Sequence, residues 1–449
     1  MKKEEASFRD PDGFIYREDG ELYRQVNESY TEDYQKLMDS GLYQELTEKG
    51  LLVEHEELET EEAFKRLKPE QINFISYPYE WSFSQLKDAA LLTLKIQKKA
   101  LEHGMTLKDA SAYNVQFQDG SPVFIDTLSF EKNDGGLWKG YRQFCKHFLA
   151  PLALMAYRDE RLVDLMQTDV DGVPVDLASK LLPRRTKMRL GLGIHIHLHA
   201  RFQNRHSDSE GGGEREASKL MGESLLSNLE TTVKKLEWRP EGTEWSNYYE
   251  ETHNYTDAGL KHKESLVRKW SSEEAKSIWD FGANNGYFSR IAADASEAFT
   301  VSFDVDPAAV EKNYRRVKDE ERENVLPLVQ DLTNPSPGIG WRNTERKTLC
   351  NRGRPDMGLA LALVHHLAIS NNLPLEEIAE FFSDKCSKLI IEFVPKNDSN
   401  AQKLLASRED IFNEYSIENF EKEFREYFKI IEKEEIKESE RTLYLMERR

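Results

Sequence analysis

The chain has 449 residues, 39% apolar and 32% charged, so it is long enough for two or three domains and too apolar to be disordered throughout. Its 62 basic and 81 acidic side chains sum to −19, which argues against nucleic acid and against an anionic membrane surface as partners. No apolar run approaches the ~20 residues that span a bilayer, and Met1 to Asp10 is charged with no signal-like apolar core. Cys145, Cys350 and Cys386 form no CxxC, which removes zinc ribbons and disulfide scaffolds and fits a reducing, cytoplasmic setting.

In chain order, Phe14 to Tyr23 predicts a hairpin with an Asp-Gly turn, and Leu86 to His103 a long helix ending at Gly104. Val115–Phe117 and Val123–Ile125 flank Gln118-Asp119-Gly120 and predict a second hairpin. Trp138 to Leu190 reads as mainly helical. His195, His197 and His199 alternate. On a strand they would share one face, where three imidazoles can bind zinc, yet no carboxylate is spaced to help. Arg189, Arg201, Arg205 and His206 make the same stretch a basic strip, a contact surface for an acidic group or an ordinary amphipathic segment. Gln203 to Lys219 is rich in Gly, Ser and charge and predicts a linker. It divides an α+β domain (1–202) from a second domain (220–449), with 203–219 between them.

The second domain alternates strands and helices. Strands are predicted at Lys276–Phe281, Phe299–Val305, Val325–Val329, Met357–Val364 and Lys388–Val394, with helices at Tyr287–Ala298, Pro307–Lys318 and Leu375–Ser383. Phe428–Ile436 and Arg441–Met446 predict a closing antiparallel hairpin. That order predicts an α/β fold built on a doubly wound, mostly parallel sheet.

The strongest motif is Asp280-Phe281-Gly282-Ala283-Asn284-Asn285-Gly286, which follows a strand and opens a helix. Small residues let the backbone approach a ligand, and the helix N-terminus offers free N–H groups. The next strand ends at Asp304-Val305-Asp306, where a carboxylate ~20 residues after the glycines can accept hydrogen bonds from a ribose diol. The loop is not GxGxxG, so a nucleoside without phosphates fits better than a dinucleotide; the alternative is a plain βα turn. Two histidines, His365 and His366, follow the fourth strand, where open α/β sheets bind ligands. One of them can act as general base on a hydroxyl acceptor, or one packs on the ligand while the other caps the loop.

From about Trp270 to Arg449 the chain resembles the class I S-adenosylmethionine-dependent methyltransferases. The resemblance implies a Rossmann-like seven-stranded sheet that binds S-adenosyl-L-methionine through Asp280, Gly282, Ala283, Asn284, Gly286, Asp304 and Asp331. In it Asp304 is the ribose ligand, with Asp306 as the competing candidate. Asp331 in Gln330-Asp331-Leu332 meets the adenine or closes a turn. An Asn/Asp-Pro-Pro-aromatic motif is missing at His365, which weighs against a nucleobase or amide nitrogen as acceptor. The acceptor itself is unidentified: a small molecule or a protein suits an acidic chain better than nucleic acid. Asp331 to Asp356 is a long insertion holding Trp341, a lid or acceptor-binding element or else a disordered excursion. Pro395–Asp398 and Glu392 are placed to line the same cleft, though a strand-end salt bridge also suits Glu392. Trp245, Tyr248, Tyr249 and Tyr255 precede this core and either cover the ligand or pack a lead-in helix, and Glu432–Arg441 reads as a solvated charge run.

In the first domain Asp109, Asn114 and Asp126 are spaced like the catalytic loop and metal-binding strand of protein-kinase-like and aminoglycoside-phosphotransferase-like enzymes. That resemblance, over roughly Phe14 to Pro151, implies a kinase-like fold. Leu107 replaces the expected histidine, Asp126-Thr127-Leu128 replaces Asp-Phe-Gly, and no glycine-rich phosphate loop or ATP-anchoring lysine stands out. A degenerate module, kept as scaffold or acceptor-binding domain, is therefore the expectation. Oligomeric state is not legible.

Overall fold

A computed structural model describes residues 2–61, 63–203, 215–240, 255–272, 275–406 and 409–449. Two compact units emerge: residues 1–239 with 337–347, and residues 240–336 with 348–449.

The first unit opens with a five-stranded antiparallel sheet of order β1-β2-β3-β5-β4, with β1 Lys2–Lys3, β2 Gly13–Glu18, β3 Glu21–Val26, β4 His55–Leu58 and β5 Lys65–Pro69. Asp19 and Gly20 turn the β2–β3 hairpin with φ of 52° and 88°, the left-handed pair that suits a right-twisted ribbon. Val26, Tyr30, Tyr34, Leu67 and Leu128 are buried together beneath it. Helix Phe83–Glu102 starts at Ser82, whose backbone N–H donates to Gln85 Oε1 at 2.9 Å. Short strands β6 Met105–Leu107 and β9 Phe130–Lys132 pair, as do β7 Val115–Gln118 and β8 Ser121–Phe124.

Two expectations change here. His195, His197 and His199 lie in a helical segment, not a strand. Each also has a local structural partner. His195 bonds Tyr141 Oη and Asn228 Oδ1, both at 2.9 Å, His197 bonds Ser179 Oγ and Thr186 Oγ1 at 2.8 Å, and His199 stacks on Tyr141. The linker also differs from 203–219. Residues 204–214, with Arg205 and His206, lie outside the described residues, and helix Arg215–Lys234 begins within the expected linker. This helix packs in the first unit, which runs on to Arg239.

The second unit is a seven-stranded sheet of order β12-β11-β10-β13-β14-β16-β15. Its strands are β10 Ser277–Phe281, β11 Phe299–Asp304, β12 Val325–Val329, β13 Met357–Ala360, β14 Lys388–Phe393, β15 Phe428–Glu435 and β16 Thr442–Arg448. The first five run parallel, and β16 runs against them, pairing antiparallel with both β14 and β15. The order reverses between β10 and β13, which opens a crevice at their carboxyl ends. Helices Asp257–Ser271 and Tyr287–Ser296 cover one face, where Val267, Trp270, Phe288 and Ala292 meet Ile278, Leu359, Ile390 and Leu445.

Candidate functional site

The crevice is built by four strand ends. After β10 the chain turns through Gly282, Asn284 and Gly286, with φ of 76°, 52° and 71°. The N–H groups of Gly282 and Ala283 both donate to Phe303 O at 2.9 Å, stitching this loop to β11. A Cβ on Gly286 would overlap the Asn313 side chain, so glycine is required there by contact as well as by φ. Arg290 completes the clamp, donating from Nη1 to Asn285 O at 2.8 Å and to Asn313 Oδ1 at 3.1 Å.

At the end of β11, Asp304 accepts the N–H of Asn284 at 2.7 Å and of Asp306 at 2.8 Å. Burial pushes its carboxyl up to about 6 against those bonds. Asp306 instead caps helix Pro307–Asp319, accepting Ala308 N at 2.8 Å, and does not face the crevice. After β12, Asp331 closes a turn by accepting Thr333 N at 2.8 Å and Oγ1 at 2.7 Å, while also lining the crevice.

Strand β13 stops at Ala360, four residues short of the predicted Val364. Ala362 adopts φ 51°, which breaks the strand, and a helical turn then carries both histidines. His366 lines the crevice; burial and Arg441 lower its imidazole to about 4. His365 is 1% exposed, with neither ring nitrogen hydrogen-bonded among the described residues. Burial and His366 hold it neutral.

Of the residues expected from sequence, Gly282, Asn284, Asp304, Asp331 and His366 line the crevice, while Asp280, Ala283, Gly286 and His365 are not part of its lining. Asp280 is buried, accepts Ser289 Oγ at 2.6 Å, and is pushed up to about 7 by burial. Val305, Leu332, Leu361, Leu363 and Leu367 form an apolar wall, and Thr333, Ser370 and Asn371 add polar atoms. Thr333 falls within the insertion singled out from the sequence, whereas Ser370 and Asn371 were missed; the polar Ser370-Asn371-Asn372 run after an apolar turn was their signal. Among the described residues no lysine or arginine lines the crevice.

Several other candidates are structural. Glu392 pairs with Lys263 at 2.6 Å inside the protein, and Tyr255 donates to the same carboxylate. Asp398 takes Arg441 through two bonds, at 2.7 and 3.0 Å. Trp245, Tyr248 and Tyr249 lie outside the described residues. Within the insertion, residues 337–347 belong to the first unit. There Glu345 pairs with Arg9 at 2.6 Å, Lys347 N donates to Tyr77 Oη at 2.8 Å, and Arg346 lies 4.0 Å over Tyr113.

In the first unit Asp109 and Asp126 are close enough that Asp126 raises the Asp109 carboxyl, second to burial. Asp126, however, pairs with Arg24 on β3. A guanidinium thus neutralises the carboxylate that the kinase-like resemblance puts on its metal-binding strand. Among the described residues no group of three or more His, Cys, Asp or Glu is arranged for a metal ion.

No protein-family model matches the chain. Nodulation protein NoeA of Rhizobium meliloti strain 1021 is 34% identical over 457 residues, 99% of this chain and 95% of that protein. The chain belongs to the NoeA family. The match to NoeA runs through both units. Two solved structures are also similar. One is magnesium protoporphyrin IX methyltransferase ChlM of Synechocystis PCC 6803 with bound SAH, 16% identical over 42% of this chain and 84% of that one, TM-score 0.31. The other is the N-methyltransferase NodS of Bradyrhizobium japonicum WM9 in complex with S-adenosyl-L-homocysteine, 10% identical over 46% and 99%, TM-score 0.32. Among the described residues no helix is long and apolar enough to cross a membrane.

Proposed function

We propose that this member of the NoeA family is an S-adenosylmethionine-dependent methyltransferase whose cofactor occupies the crevice of the second unit. One observation carries the reading: the crevice offers two carboxylates, a glycine loop at a helix N-terminus and an apolar wall, with no lysine or arginine among its described lining. A polyphosphate would find repulsion there, whereas an uncharged nucleoside carrying a positive sulfonium fits.

When bound, S-adenosylmethionine supplies an electrophilic methyl group. The chain's own residues bind and orient. Asp304 accepts from the ribose hydroxyls, Asp331 from the adenine amine, and the Gly282 loop lets the backbone approach the amino-acid end. Asp280 and Gly286 act from behind, through Ser289 and Asn313. His366 is neutral at working pH and accepts a hydrogen bond from an acceptor hydroxyl. With its imidazole near 4 it is a weak base, so positioning supplies more of the rate than proton removal.

The kinase-like reading of the first unit is carried forward as a scaffold, because Arg24 already satisfies Asp126. The test is calorimetric titration of the full chain with S-adenosylmethionine and, separately, Mg-ATP. Binding of the first that is lost in Gly282→Arg and in Asp304→Ala supports the proposal. Mg-ATP binding lost in Asp126→Ala, without S-adenosylmethionine binding, overturns it.

A further inference from the structure

Between Asp176 and Asp208 the sequence carries seven basic side chains and no acidic one, inside a chain of net charge −19. The structure gathers four of them on one short turn. Arg184, Arg185, Lys187 and Arg189 are all exposed, and none pairs with a carboxylate among the described residues. Two apolar side chains alternate with them and stand clear of the protein: Met188 is 90% exposed and Leu190 71%. A solvated loop has no use for these. Scattered exposed leucines are ordinary, but a pair protruding at a cationic tip is not.

The turn is anchored from below. Thr186 is buried, and its hydroxyl meets His197 Nε2 at 2.8 Å; His197 is held in turn by Ser179 at 2.8 Å. Gly191 packs so closely on Thr232 of helix Arg215–Lys234 that a Cβ would overlap it, and a Cβ on Gly193 would lie 2.9 Å from Lys187 O. Ile194 and Leu198 extend the apolar exposure along the following helical segment.

We propose that this turn docks the protein on an anionic lipid surface, the four cations meeting headgroup phosphates and carboxylates while Met188 and Leu190 enter the acyl boundary. Charge complementarity names the surface, and the protruding shape favours lipid over a folded acidic partner. A folded partner needs a matching pocket for each apolar tip, whereas a bilayer interface accepts them anywhere. Whole-chain charge argues the other way, but attraction to a surface is felt within about a Debye length, by the local cluster. The proposal stands apart from the crevice chemistry.

The test is co-sedimentation of the full chain with vesicles of phosphatidylcholine containing phosphatidylserine, and with phosphatidylcholine alone. Binding is expected to the first only. Met188→Ser with Leu190→Ser should cut it about tenfold or more, and Arg184→Ser with Arg185→Ser should do the same. All four side chains are exposed, so an unchanged unfolding temperature confirms intact variants. No binding to phosphatidylserine vesicles overturns the proposal. So does vesicle binding that survives loss of Met188 and Leu190 but not of the arginines, which is adsorption by charge alone, without entry of the apolar tips into the acyl boundary.

Discussion

Asp304 accepts the backbone N–H of Asn284 at 2.7 Å, so the acid that ends β11 also holds the glycine loop that follows β10. The same carboxylate is buried and its pKa lies near 6, against an ordinary 3.8. Its neutral form is thus favoured by folding. Stability from this group is full below about pH 4 and is lost as pH rises through about 6, worth at most about 3 kcal/mol. Asp280, pushed up to about 7, has the same sign. The ligand-free protein should therefore unfold at lower urea at about pH 8 than at about pH 5, as far as these two groups decide it. Asp304→Asn should flatten that difference; an unchanged pH slope would remove Asp304 as its source.

Ligand affinity should carry the opposite sign. An ionised Asp304 is the better acceptor for two ribose hydroxyls, so S-adenosylmethionine should bind more weakly as pH falls below about 6. In Asp304→Asn the affinity should be lower throughout and nearly independent of pH. Calorimetry across that range separates the two. The pair of results would also mark a trade: a carboxylate that costs stability where it supports binding.

Gly286→Ala should be costly for two separable reasons. Its φ of 71° strains any residue with a Cβ, by about 1 kcal/mol. The Cβ would also overlap Asn313, which adds about 1–3 kcal/mol of overpacking. Asn313→Ala in the same chain should recover the second part and not the first. Urea unfolding of the single and double variants measures each. No recovery would mean that the strain is all in the backbone.

The five parallel strands were legible because each is a short stretch rich in apolar residues bounded by a turn signal, and Met357-Gly358-Leu359-Ala360 is apolar throughout, as burial on both faces requires. The end of that strand was not legible. Leu361 to Val364 is as apolar as what precedes it, and nothing in its composition reveals the left-handed Ala362. Asp304 and Asp306 share strand-end chemistry, and only hydrogen bonds separate a crevice acid from a helix cap. The alternating histidines misled for a related reason. Period-2 spacing implies one face only if the segment is a strand, and the partners that make these histidines structural, Tyr141, Ser179, Thr186 and Asn228, come from four other segments. Likewise the Asp109–Asn114–Asp126 spacing was visible, while the arginine that neutralises Asp126 lies 102 residues upstream.

Lys263 and Glu392, both fully buried, form the other decisive charge pair. Tyr255 joins them, its hydroxyl accepting from Lys263 Nζ at 3.0 Å and Arg441 Nη1 at 2.6 Å while donating to Glu392. Burial raises the Glu392 carboxyl, but Lys263 and Arg441 outweigh it and keep it ionised. The cluster ties helix Asp257–Ser271 to β14 and to the start of β16. Removing one partner leaves a charge without water, so Lys263→Met should destabilise the second unit by about 3–5 kcal/mol. Lys263→Met with Glu392→Leu removes both charges and should cost far less, while Arg441 keeps Asp398 as its partner. Urea unfolding of the three proteins decides it. If the double variant is as unstable as the single one, the pair contributes net stability, and the cluster is more than a neutralised burial.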